Sequence, residues 1–183
     1  MLDHIDRERF RGEMVGVVTG GASAERPISL QTGRGFADAL ESLGYDVRVY
    51  DVPEECAQLE DQRPAAVLLG LHGGAGENGV LQGYLEMLRI PYTGSGVLAS
   101  ALAIDKQRSK SVLQSAGVAT AKGEFIRPGT FRQTDRDSEA ILEAAGLELP
   151  VVVKPNDEGS SVGVEICETF ETFTAALESV LST

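Results

Sequence analysis

The chain has 183 residues, a formal net charge of −12, 42% hydrophobic and 24% charged residues, and two cysteines. Its length suits one domain or two small ones of roughly 100–150 residues, and its composition is that of a soluble globular protein. The acidic balance argues against broad binding to a nucleic-acid backbone, and no apolar run approaches the roughly 20 residues that cross a bilayer, so neither nucleic acid nor membrane is expected as a partner. Cys56 and Cys167 are far apart and lack a CxxC partner, so free thiols are expected rather than a disulfide framework or a zinc site. The stretch from Met1 to Arg11 is charged, without the apolar core of a secretory signal, and a cytoplasmic location fits it best.

In chain order, Met14 to Thr19 is an apolar strand ending in Gly20-Gly21-Ala22-Ser23, and Arg26 to Leu43 is a helix with apolar positions Ile28, Leu30, Phe36, Ala39, Leu40 and Leu43. Gly44 closes that helix, Tyr45 to Tyr50 alternates as a second strand, and Ala65 to Leu71 is a third, buried one. Strands alternating with helices predict a parallel sheet with right-handed connections, whose ligands gather beyond the carboxyl ends of the strands. The glycine loops after Thr19 and Leu71 should therefore face one cleft. Val80 to Leu88 is helical, and Ile90 to Gly96 is a short extended piece with a turn, where a boundary is expected. A helix over Ala99 to Ala116, a strand over Gly123 to Arg127 and a polar loop from Pro128 to Asp137 follow. A short helix over Ser138 to Ala145, capped by Ser138, strands over Leu149 to Lys154 and Val164 to Cys167, and a helix over Phe170 to Leu181 complete the reading.

Three segments carry chemistry. Gly20 to Arg26 sets free helix amides at the cleft, and Glu25 there has two readings. Complementing the helix dipole is favoured on local evidence, and holding a substrate ammonium is the alternative. The segment from Leu71 through His72 to Gly83 is more specific, because a histidine at a strand end, five glycines and a Glu-Asn turn make poor packing material. Finally, Val151-Val152-Val153-Lys154-Pro155 leaves an ammonium at a strand end before Asn156 to Gly163. In that loop Gly159 lets the backbone come close and Ser160 and Ser161 offer donors to anionic oxygens. Taken alone, this segment is equally an ordinary strand before a surface turn. Lys106, in Asp105 to Lys110, belongs to a solvated helix face on charge alone and gains meaning only if it meets Lys154 at a triphosphate.

In order, Gly20 to Arg26, His72 to Gly79 with Gln82-Gly83, Tyr92 to Gly96, Asp105-Lys106 with Ser109-Lys110, and Val153 to Pro155 with Glu158 to Gly163 closely resemble D-alanine–D-alanine ligase. The histidine-glycine segment is the most specific to that family, whereas the lysine strand and serine-glycine loop occur more widely among ATP-grasp enzymes. The resemblance implies an α/β fold with a Rossmann-like (pre-ATP-grasp) parallel sheet over residues 1–96. An incomplete α+β ATP-grasp central subdomain over residues 97–183 would follow it. It further implies an ATP-dependent ligase that activates one D-alanine as an acylphosphate for attack by a second, in peptidoglycan synthesis. Glu25 would bind the first ammonium, His72 would lie beside that substrate's carboxylate, and Ser160 would join a hydrogen-bond link from Glu25 toward a lid. Lys106 and Lys154 would grip ATP phosphates, with Gly159, Ser160 and Ser161 around them.

The resemblance is to the N-terminal portion of the family, and it is compatible with a homodimer. The Mg2+ ligands, a transition-state arginine and the second-substrate site are expected in sequence beyond Thr183, so the chain is expected to hold no metal and not to turn over by itself. Two rival readings are a non-catalytic module binding a D-amino acid or nucleotide, and a ligase joining D-alanine to D-lactate.

Overall fold

The structure is a computed structural model that describes residues 8–127 and 135–182, with side chains of residues 135–137 left aside. It falls into two compact units, Met1–Ala103 and Ile104–Thr183.

In the first unit, strand β1 (Met14–Gly20) leads through a glycine loop into helix α1 (Arg26–Ser42), followed by β2 (Asp46–Val52), α2 (Cys56–Gln62) and β3 (Ala66–Leu69). A 3-10 turn at Gly74–Gly76, α3 (Val80–Leu88) and α4 (Val97–Ile104) complete it. The sheet is parallel, in the order β2-β1-β3, with Val15 level with both Val47 and Ala66. Tyr92 extends it by a parallel bridge to Val67, whose N–H donates to the Pro91 carbonyl at 2.8 Å. Because β1 is central, Val15 to Thr19 are all buried, which explains the apolar, β-branched run. Val18, Tyr50, Val67 and Ile90 pack with Leu59 of α2 and Leu81, Leu85 and Leu88 of α3 in one core.

The other face of the sheet meets α1 differently from the helix that apolar spacing predicts. Ser29, Gly33 and Ala37 are the buried positions of α1, whereas Ile28 is 51% and Leu43 60% exposed. Small residues one turn apart let the helix sit close to β1, and a methyl built on Gly33 would stand 2.6 Å from both Cβ and Oγ1 of Thr19. The Thr19 hydroxyl donates to the Ser29 carbonyl at 2.6 Å in this buried seam. After α1 the Gly44 N–H reaches the Glu41 carbonyl and the Tyr45 N–H the Leu40 carbonyl, a Schellman closure at the expected glycine.

In the second unit, α5 (Lys106–Ser115), α6 (Asp135–Ala145) and α7 (Phe170–Leu181) accompany an antiparallel pair, β4 (Val151–Val153) and β5 (Glu165–Cys167). Leu142 of α6, Phe173, Ala176 and Leu177 of α7, and Val153 and Cys167 form its core. The single helix expected over Ala99 to Ala116 is two, because Asp105 is extended (ψ 100°) and its side chain accepts the Arg108 N–H, capping α5 instead of continuing α4. Ser138 is not a cap. Helix α6 starts at Asp135, and the buried Ser138 hydroxyl pairs with Thr174 of α7. Gly123 to Arg127 forms no strand, and most of the loop expected over 128–137 lies outside the described residues. Helix α2 was not foreseen, since its short apolar pattern rests on Leu59 alone.

The seam predicts opposite outcomes for two glycines of α1. Gly33→Ala should destabilise the chain by about 1–3 kcal/mol through overpacking. At the exposed Gly35 a Cβ meets nothing within 4 Å, and Gly35→Ala should stabilise the chain by about 0.5–1 kcal/mol. Urea unfolding midpoints measure both.

Candidate functional site

The loops after β1 and β3 meet at the carboxyl end of the parallel sheet. The Ser23 hydroxyl donates to the His72 carbonyl at 2.9 Å and accepts the Glu25 N–H at 3.2 Å, while the His72 N–H donates to Ser29 Oγ at 2.9 Å. The His72 ring reaches α1, with Nε2 2.9 Å from Thr32 Oγ1. Gly73 has φ +68°, and a Cβ there would stand 2.7 Å from Glu25 Oε2 and 3.0 Å from Ser23 Oγ, so only glycine admits the Glu25 carboxylate at this distance. On the far side, the Gln82 amide donates to the buried Gly76 carbonyl at 2.8 Å, while its own Oε1 is buried without a partner among the described residues.

Glu25 occupies the N-cap position of α1 yet makes no side-chain capping bond, and its half-buried carboxylate meets no donor or cation among the described residues. An anion so placed is ready for a ligand cation. Its loop is braced from the next residue. Arg26 bonds Asp51 at the end of β2 in bidentate fashion (Nη1–Oδ1 2.8 Å, Nη2–Oδ2 2.7 Å), and Nη1 also donates to the Gly21 carbonyl at 3.2 Å. That bond to Asp51 holds the guanidinium above its ordinary pKa. The Asp51 N–H in turn donates to Glu55 at 2.8 Å.

The second unit holds a separate cleft of about 240 Å³, lined by Lys106, Lys154, Glu158 and Ser160 together with the apolar Val152 and Val164. It lies on the face of the β4-β5 pair that Val152 and Ile166 leave exposed, opposite the core. Lys106 is not on a solvated helix face. Its ammonium donates to the carbonyls of Glu158 (2.6 Å) and Asn156 (3.3 Å), and the Gln107 N–H donates to Asn156 Oδ1 at 3.0 Å, tying the start of α5 to the loop after β4. With three protons on an ammonium, one remains for a ligand. Burial, and then the charge of Lys154, pull the Lys106 ammonium below its ordinary pKa, against the opposing Asp157, Glu158 and Asp105. Ser160 has φ +52°, a strained value for a residue with a side chain. Gly159 and Ser161 flank Ser160 but do not line the cleft; their carbonyls accept from Val162 and Val164.

The structure thus brings Glu25 to His72 within the first unit, and Lys106 and Lys154 to Ser160 within the second. Sequence reasoning missed Thr32, Ser29, Asp51 and Asn156. The spacing of Ser29 and Thr32 on one helix face was a usable signal, whereas Asp51 and Asn156 act through folded-state contacts that no local pattern marks.

The chain is similar in sequence and in fold to proteins of one family. The family model described as D-ala D-ala ligase C-terminus matches residues 112–183. A D-alanine–D-alanine ligase of Glaesserella parasuis serovar 5 is 46% identical over 173 residues, covering 94% of this chain and 55% of that ligase. The crystal structure of the Bacillus anthracis D-alanine–D-alanine ligase superposes with a TM-score of 0.77 at 34% identity over 93% of this chain and 54% of its own; its complex with ATP gives 0.76 at 33%, covering 93% and 53%. The chain belongs to the D-alanine–D-alanine ligase family. It spans about half the length of the curated relatives it matches.

The lowered proton affinity of Lys106 has a signed consequence for anion binding. Inorganic tripolyphosphate should bind at neutral pH and weaken as pH rises through that lowered pKa, short of the ordinary lysine range. Calorimetric titration of Lys106→Met should give weaker binding at neutral pH without this alkaline step.

Proposed function

We propose that the protein is a D-alanine–D-alanine ligase, and that this chain carries its first-substrate site and part of its ATP site. In the reaction, a carboxylate oxygen of one D-alanine attacks the γ-phosphorus of ATP and ADP leaves. The amine of a second D-alanine then attacks the acyl carbon, phosphate leaves, and a proton is lost from the nitrogen. Residues 1–96 would be the Rossmann-like substrate domain and residues 97–183 the ATP-grasp central subdomain, in a cytoplasmic enzyme supplying peptidoglycan synthesis. Among the described residues, no helix is long and apolar enough to cross a membrane. Turnover is proposed of the whole ligase, because this chain spans about half the length of its relatives.

The observation that carries the reading is the Glu25 carboxylate, half-buried against Gly73 beside His72 and meeting no cation among the described residues. A zwitterionic amino acid needs an anion for its ammonium and a donor for its carboxylate, and Glu25 and His72 are those two groups. Lys106 and Lys154 offer positive charge to phosphate oxygens in the second unit's cleft, where it would orient the transferring group and offset its developing charge. Ser160 lends a hydroxyl donor there, and Gly159 and Ser161 complete its loop. For Mg2+, which would neutralise phosphate charge when bound, the donor set is lacking: no group of three or more His, Cys, Asp or Glu side chains among the described residues could hold a metal ion.

In a full-length ligase carrying this sequence, Glu25→Gln should raise KM for the first D-alanine by about 10–100-fold, the loss of a charge-assisted bond of about 1.5–3 kcal/mol, with KM for ATP little changed. Lys154→Ala should do the converse, raising KM for ATP. Coupled ADP-release kinetics separate the two, and unchanged constants in both variants would contradict the assignment.

A further inference from the structure

Hydroxyl groups take every polar atom of His72 except one ring nitrogen. Ser29 accepts its N–H, Ser23 donates to its carbonyl, Thr32 meets Nε2, and Nδ1 has no partner among the described residues. Ser29 and Thr32 stand three apart on α1, so both hydroxyls leave the same helix face toward the histidine. A helical threonine commonly returns its hydroxyl proton to the carbonyl four residues earlier. Thr32 makes no such bond to Ile28, and Nε2 is the one acceptor its hydroxyl meets among the described residues.

From this geometry we infer that Thr32 is a positioning residue, donating its proton to His72 Nε2 so that the neutral ring carries its own proton on Nδ1 and offers Nδ1–H to the ligand. A ring nitrogen that accepts a hydrogen bond must hold a lone pair, and the proton of a neutral imidazole is then on the other nitrogen. The opposite arrangement, Nε2–H donating to Oγ1, would leave the threonine proton without a protein acceptor and turn a lone pair on Nδ1 toward a carboxylate, which repels it. The inference rests on the proposed function only in taking the ligand to be an amino-acid carboxylate.

The test is the tautomer of His72, read from long-range 1H–15N imidazole correlations of the 183-residue chain at a pH where the ring is neutral, with His4→Ala leaving one histidine. The expected result is Nδ1–H in the parent, a shift toward Nε2–H in Thr32→Val, and recovery of Nδ1–H in Thr32→Ser. A parent ring already in the Nε2–H form overturns the inference without any variant, and so does a Thr32→Val ring that keeps Nδ1–H. D-alanine affinity should fall about tenfold in Thr32→Val, as for one lost hydrogen bond of about 1–1.5 kcal/mol, and recover in Thr32→Ser. An altered tautomer with unaltered affinity would overturn the donor role of Nδ1–H. A parent chain that fails to bind D-alanine at all would defeat the proposed function, while the tautomer would still decide the role of Thr32.

Discussion

Helix α1 can lie on β1 only because its inward face is Ser29, Gly33 and Ala37, and the rest of the first unit's site depends on that closeness. With the helix seated against Thr19, Ser29 reaches the N–H and Thr32 the ring of His72, three residues beyond the end of the unit's third strand. A larger residue at Gly33 would lift the helix and carry both hydroxyls away from the histidine. Packing and chemistry are therefore one arrangement, in which the residues that close the core on one side of β1 also hold the functional loop at its end.

The second unit reaches a comparable result by another route. Its sheet is only a pair of three-residue strands, so the loop after β4 gains order from bonds to α5 rather than from a wide sheet. Lys106 contributes to that order and lines the cleft as well, and burial among these carbonyls, together with Lys154, lowers its proton affinity. Positive charge kept partly desolvated and already positioned costs less to reorganise when an anion arrives.

Much of this was legible in the residues themselves. The apolar run at β1, the span of α3 from Val80 to Leu88 and that of α7 from Phe170 to Leu181 follow from periodicity and caps, because in each the local pattern and the fold agree. The inward face of α1 did not follow, since hydrophobic spacing ranks Ile28 and Leu43 above the small residues that close approach requires. The break at Asp105 was hidden because its cap competes with a continuous helical pattern on nearly equal terms. At the site, glycine spacing pointed to the loops and to Glu25 and His72, but the partners of those residues come from helices and strand ends distant in sequence. The sequence separations of 49 from Ser23 to His72, and of 50 from Lys106 to Asn156, are closed only by the fold.

The central claim is that the loops after β1 and β3 together form an amino-acid pocket around Glu25 and His72. Its most direct test is a titration of the 15N-labelled chain with D-alanine, with L-alanine as the control, followed by backbone amide shifts. The account predicts saturable changes for D-alanine concentrated in Gly20 to Arg26 and His72 to Gly76, and much weaker ones for L-alanine. Shifts confined to other surfaces, or equal responses to both enantiomers, would contradict it.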